Sequence, residues 1–252
     1  MKPHRFLGYV LLIALFALAA CNNNSNDNEE TPPDTQALLS EAANNFEQAE
    51  SFRFELRQRG APIYINFEGF EDLDITLNSA TAIFQSPNSV RADISVAIED
   101  VTQKIGIIAV EDRQYYNHPL LTGGEWVQES LVADFEPSDL VSEQTGIGTA
   151  LRSIQNPTLI GNTEIEGIPV YHIQGMVDAQ LARAVTFGLM STASGNIQID
   201  IYIRREGTRH LSRIELIEPS PPDTEEDLSK TWEIDFEGYN QEVNIDEPTL
   251  EN

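Results

Sequence analysis

Few side chains in this 252-residue chain stand at spacings that support chemistry. The single thiol is Cys21, so no intramolecular disulfide can form. The four histidines, His4, His118, His172 and His210, are scattered, and no pair has the i, i+4 spacing of a helical metal site. No Gly-x-Ser-x-Gly elbow is present. Gly146-Ile147-Gly148 is a lone Gly-x-Gly with no preceding strand and no phosphate-binding lysine, so it reads as an irregularity in a helix. Two acidic clusters, Glu71-Asp72-Leu73-Asp74 and Glu225-Glu226-Asp227, lack calcium-loop spacing and read as solvated loops. With 41 acidic residues, nothing singles out a catalytic carboxylate pair. The expectation is a non-enzyme without catalytic residues, metal or cofactor.

Cys21 gains meaning from its neighbours. Met1-Lys2-Pro3-His4-Arg5 is a basic start, Phe6 to Ala20 is an apolar run, and the chain turns polar at Asn22. A spanning helix needs about 20 apolar residues, more than this run supplies. The pattern is that of a secretory signal peptide over residues 1–20. The ending Leu18-Ala19-Ala20-Cys21 resembles the lipobox of bacterial lipoproteins. That resemblance implies a diacylglyceryl group on the Cys21 sulfur and cleavage before it. An ordinary secretory cut after Ala20 is the plainer alternative. Two acyl chains, at about 0.8 kcal/mol per buried methylene, would hold the protein on a membrane.

Removing Lys2 and Arg5 with the leader takes the formal charge from −26 to −28. So acidic a body lacks the lysines and arginines that nucleic acid or an anionic lipid surface would require. Self-repulsion favours a monomer. Residues 21–36 form a polar stalk with Pro32 and Pro33, too poor in apolar residues to build a core. Residues 37–252 remain for a single domain.

The elements that position any site follow from periodicity. Thr35 to Ser51 reads as a helix with Leu38, Leu39, Ala42, Ala43, Phe46 and Ala49 on one face, capped by Asp34 or Thr35. The period then changes to two, with Phe52, Phe54 and Leu56 against Arg53, Glu55 and Arg57. Strands are expected through Ile75–Phe84, Val90–Ile98, Lys104–Tyr116 and Trp126-Val127. A broken helix spans about Pro137 to Gln155. Strands resume at Thr158–Glu166 and Val170–Val177, and a third helix covers Asp178 to Ser191. Ile197, Ile199, Ile201 and Ile203 alternate with polar partners, Leu211 to Ile217 follows, and an acidic loop, Glu218 to Asp227, precedes Trp232, Ile234 and Phe236. The class is α+β: a long antiparallel sheet with helices gathered on one face.

Several segments in this order resemble the envelope lipoproteins of the LppX and LprG type, relatives of the lipoprotein carrier LolA. They are Leu38-Leu39-Ser40-Glu41-Ala42 with Ser51-Phe52-Arg53-Phe54, then Gln114-Tyr115-Tyr116 with Gly124-Glu125-Trp126, then Glu164 through Ile173. The ending Ile199 to Ile203, Leu211 to Ile214, Trp232 to Ile234 and Val243 to Pro248 completes them. The resemblance implies a strongly curved antiparallel half-barrel wrapped around helices, with an apolar cavity for acyl chains between them. It also implies an exported, lipid-anchored protein of the cell envelope that carries or presents a lipid, glycolipid or lipoprotein, with an envelope transporter or acceptor protein as a further partner.

A bent sheet that leaves part of its apolar face unfilled can take an apolar guest. Candidates for the wall are Phe54, Ile94, Val96, Ile199 and Ile201 from the sheet, with Phe46, Leu151, Val185 and Leu189 from helices. The plainer alternative is that these residues simply pack against one another. A protein-binding module without lipid cargo, and an envelope hydrolase with an unrecognised site, are the rival functions.

Overall fold

In the computed structural model the described residues are 32–65, 74–98, 101–129, 136–192, 194–222 and 224–250. Cys21, the leader and the stalk up to residue 31 lie outside them, as does the acidic cluster at 71–74 except Asp74, and the last two stalk residues, Thr35 and Gln36, belong to the first helix. Contacts divide the chain into two units, Met1–Pro32 and Pro33–Asn252, and the second holds every element described below.

Among the described residues eleven strands form one open antiparallel sheet. They are β1 (Ser51–Gly60), β2 (Ile75–Gln85), β3 (Ser89–Ile98), β4 (Val101–Val110), β5 (Arg113–Asn117), β6 (Val127–Gln128), β7 (Gln155–Ile165), β8 (Ile168–Asp178), β9 (Asn196–Arg204), β10 (Leu211–Glu218) and β11 (Lys230–Glu237). Their order across the sheet is β6-β5-β4-β3-β2-β1-β11-β10-β9-β8-β7. Each neighbour is a sequence neighbour except at the centre, where β1 pairs with β11. There Phe54 faces Phe236 and Leu56 faces Ile234. The sheet is therefore two meanders joined along one seam.

Three short α-helices among the described residues lie on one face: α1 (Thr35–Glu47), α2 (Ile147–Arg152) and α3 (Ala179–Val185). A 3-10 turn over Pro137–Val141 precedes α2. The Asp34 side chain caps α1 by accepting from the Ala37 N–H at 2.9 Å, satisfying one of the orphan donors of the first turn. Arg152 at the end of α2 holds α1 with a fork. It donates to Glu47 Oε1 and Oε2 at 2.6 Å each and to Asn44 Oδ1 at 2.7 Å. This closeness explains Gly148, where an added Cβ would sit 2.2 Å from Glu47 Oε1. The Gly-x-Gly is thus a helix-contact feature.

Two sequence expectations fail in detail. The third helix stops at Val185, because Phe187 and Gly188 adopt φ values of 54° and 79° and turn the chain away. Leu189 therefore lies beyond the helix, in the turn that follows it, and is only half-buried. Glu218 is the last residue of β10, not the start of an acidic loop, and is 1% exposed.

The apolar core sits between the helices and the sheet face that carries Phe52, Phe54 and Leu56 of β1, Ile197 to Ile203 of β9, and Trp232, Ile234 and Phe236 of β11. Members from β2 and β3 at one side and from β8 at the other join this single cluster, so the sheet bends around it. The opposite face is polar and laced with ions. Arg213 Nε donates to Asp235 at 2.5 Å, and Arg57 binds Asp235, Glu233 and Glu55. Beyond β11 the chain straps across this face. Ile245 packs with Ile108 and Tyr115, and Glu247 binds Arg113 and the Tyr115 hydroxyl.

Buried Glu218 ties the segment after α3 to the core. It accepts from the Ser191 N–H at 2.8 Å, the Thr192 N–H at 2.9 Å, the Ser191 hydroxyl at 2.6 Å and the Trp232 indole at 3.0 Å. Burial pushes its pKa up, but these donors and nearby Lys230 outweigh that and hold it below the ordinary carboxylate range. The charged form is thus the stable one in the fold. Its contribution is full above the unfolded carboxylate pKa, near 4.5, and is lost as pH falls through the depressed native value. Glu218→Gln is expected to cost about 1–3 kcal/mol in urea unfolding at pH 7, with the gap to the parent closing as pH is taken below about 4.5. An equal gap at every pH would contradict this role.

Candidate functional site

The site begins from a mismatch of areas. Eleven strands at about 4.8 Å spacing make a surface about 50 Å wide. At about 1.5 Å per residue, α1 is about 20 Å long, and α2 and α3, of 6 and 7 residues, are about 10 Å each. These helices cannot cover the whole apolar face. They also lie to one side: α1 packs on β7 and β10, and α3 on β8 and β9.

Under the helices, the inner face is closed. Phe46, Phe54, Leu151, Val185, Ile199 and Ile201 all belong to the main cluster. Of these, Leu151, Ile199 and Ile201 are wholly shielded from solvent. Phe46 meets Phe52 with ring centroids 4.6 Å apart and Phe236 edge-on at 5.3 Å. Phe54 stacks on Phe187 at 5.3 Å. These six residues therefore pack against one another and clamp the helices to the sheet.

On the other half, over β2, β3 and β4, the inner face changes character. Register places Ala80 opposite Ile94 and Ile94 opposite Ile105. The next row runs Ala82, Ala92, Ile107 and Tyr116. Ala80, Ala92, Ile94, Ile107 and Tyr116 are only half-buried, whereas Val96 and Ile105 beside them are shielded. Val96 belongs to a separate small cluster with Ile75 and Ile105. Ile94 touches both clusters and so stands at the junction. Leu189 borders the main cluster from the segment after α3.

This half-open patch is apolar, built on rigid strands and floored by alanines. Alanine leaves volume above the sheet that a larger side chain would occupy. Apart from the Tyr116 hydroxyl at its edge, which meets the Glu129 carboxylate, such a surface presents hydrocarbon and suits an apolar guest. Sequence reasoning placed Ile94 and Val96 here but missed Ala80, Ala92, Ile107 and Tyr116. Their signal was present in the alternation of β2 to β5, where small residues recur at core-facing positions.

Among the described residues no group of His, Cys, Asp and Glu is arranged to hold a metal ion. Nor does any described helix have the length and apolarity to cross a membrane.

Known proteins were compared with this geometry. A family model described as LppX_LprAFG lipoprotein matches residues 34–245. The crystal structure of LprF from Mycobacterium bovis superposes with a TM-score of 0.61 at 15% identity, covering 85% of this chain and 96% of that one. The lipoprotein LppX from Mycobacterium tuberculosis gives a TM-score of 0.55 at 17% identity, covering 86% of this chain and all of that one. At such identities the likeness establishes the fold alone. Comparison with curated protein sequences finds no match.

The division of the inner face has a measurable consequence. Leu151→Ala should cost about 2–5 kcal/mol, as a truncation in a closed core does. Ile94→Ala, on the half-open side, should cost less than half as much, since part of that side chain already meets solvent. Urea unfolding of both variants reads the difference. Equal losses would mean that the two halves are equally packed.

Proposed function

The chain belongs to the LppX_LprAFG lipoprotein family, and from that premise we propose that it binds the acyl chains of a lipid, glycolipid or acylated protein and carries or presents them in the cell envelope. The observation that carries this reading is the alanine-floored half-open strip of Ala80, Ala92, Ile94 and Ile107. Each methylene moved there from water contributes about 0.8 kcal/mol. A guest with a dozen buried carbons would gain enough to offset the entropy of its own ordering. Ile94 and Leu189 border the strip, while Phe46, Phe54, Leu151, Val185, Ile199 and Ile201, packed on one another, and Val96 in its small cluster hold the frame around it. No reacting group is needed, and the protein acts as a binder rather than an enzyme.

Export and anchoring belong to the same proposal. The leader over residues 1–20 directs secretion, and acylated Cys21 holds the body on the extracytoplasmic face through the stalk. The acidic body stays monomeric and clear of the surface.

A protein-binding reading draws on a different observation. The edge strand β7 is exposed over much of its length, with Ile160 53% exposed and Glu164 its only charged residue. An extended segment of a partner could pair with such an edge.

The test is native mass spectrometry of the full chain purified from a membrane-containing host, joined to displacement of a fluorescent fatty acid. Bound lipid masses are expected. Ala92→Trp should weaken acyl binding about tenfold or more while leaving the fold intact, because the indole fills the guest's space. Apo protein alone, with no displacement, overturns the proposal, and a stoichiometric protein partner in place of lipid selects the edge-strand reading. Separately, Cys21→Ser should abolish the acyl mass and shift the protein out of the membrane fraction.

A further inference from the structure

The half-open patch is apolar where β2, β3 and β4 floor it and changes character at β5. Register sets Phe84, Val90 and Ala109 in one inward row with Gln114, and Ala82, Ala92 and Ile107 in the next with Tyr116. Gln114 and Tyr116 are half-buried, so both border the patch. His118, two residues on, is wholly buried and serves its own turn, where the Leu120 and Leu121 amides donate to its Nδ1 at 3.2 and 3.3 Å. On β6, Val127 pairs with Tyr116, and two residues further exposed Glu129 meets the Tyr116 hydroxyl. Burial, with Glu129 adding to it, pushes the Tyr116 pKa up, so the phenol keeps its proton and donates it.

The same half of the sheet keeps its cations on the other face. Arg53 pairs with Ile83 and Ile83 with Arg91, in the row that runs on to Ile108 and Tyr115 beneath the C-terminal strap. Arg57 and Arg59 bind Glu233 on that face, and Arg113 binds Glu247 of the strap. Lys104 pairs with Ser95, one step out of phase with the row of Ala80, Ile94 and Ile105. Neighbouring residues of a strand point to opposite faces, so every lysine and arginine of β1 to β5 points away from the acyl strip.

A guest with one hydrocarbon chain has an apolar body and one polar end. The body can lie anywhere over β2 to β4, but a polar end placed there would lose its hydrogen bonds. At β5 it finds a phenol, an amide and a carboxylate. A hydroxyl suits this set, because it can donate to Glu129 and accept from Tyr116. A carboxylate or phosphate would face the Glu129 charge with no cation beside it. In partly shielded surroundings that repulsion is stronger than in water.

We infer that Tyr116 and Glu129 set the specificity of the acyl strip, admitting an uncharged, hydroxyl-bearing end such as that of an acylglycerol and turning away a carboxylate or phosphate. The inference rests on the acyl-binding reading and adds which margin of the strip holds the polar end of the guest.

Competition near neutral pH against a fluorescent monoacylglycerol bound to the full chain tests it. The competitors are monooleoylglycerol and oleate, which share a hydrocarbon chain and differ at the end. Monooleoylglycerol should compete about tenfold or more better than oleate. Glu129→Gln, at an exposed position, should narrow that gap to about threefold or less, chiefly because oleate binds better. Tyr116→Phe keeps the ring and should weaken monooleoylglycerol about fivefold. Asp93→Asn removes the same charge from the outer face, where Asp93 is exposed, and should change neither competitor. Equal competition in the parent, a gap untouched by Glu129→Gln, or a gap narrowed as much by Asp93→Asn overturns the inference and leaves the acyl reading standing. If neither compound competes and the fluorescent probe itself does not bind, the acyl reading falls and takes this inference with it. Should Tyr116→Phe fail to fold by circular dichroism, Glu129→Gln decides.

Discussion

The structure depends on how much apolar surface a two-residue period creates. Each strand sends every second side chain inward, and eleven strands multiply this into one wide face that must leave water. Three helices totalling few residues are set against it. Bending brings the two halves of the sheet toward each other and reduces the exposed area. It does not abolish the shortfall. The helices settle where the sheet presents large residues from β8 to β11, and the part left half-covered is the part paved with alanine. Unequal paving and unequal cover thus coincide on the same half of the sheet.

Polar devices hold this arrangement at its weak points. The Arg152 fork joins α1 to α2, two elements more than a hundred residues apart in the chain. Glu218 joins the segment after α3 to Trp232. The C-terminal strap joins β11 to the outer face of β4 and β5. Each ties down a segment whose own apolar contacts are few, and each uses charge-assisted bonds in partly or wholly buried surroundings, where such bonds are strongest.

Much of this was legible in the sequence. Alternation in Ile197 to Ile203 and in Val90 to Ile98 marked strands because the inner and outer faces differ so sharply in polarity. The stripe of α1 was as clear. The end of α3 was not, because Val185, Phe187 and Leu189 continue an apolar pattern, and only the left-handed turn at Phe187-Gly188, stabilised by Phe54 beneath, breaks it. Glu218 looked like its solvated neighbours, since residue type cannot reveal that an indole N–H and two backbone amides await its carboxylate.

The central seam has a consequence for how the chain acquires its structure. Residues near 55 must find residues near 235, so the strand that opens the sheet stays unpaired on one side until almost the last part of the polypeptide has arrived. Closing so long a loop is entropically slow, and pairings of this separation fold late. A chain delivered from its N-terminus would keep its two meanders apart in transit and join them only when β11 arrives.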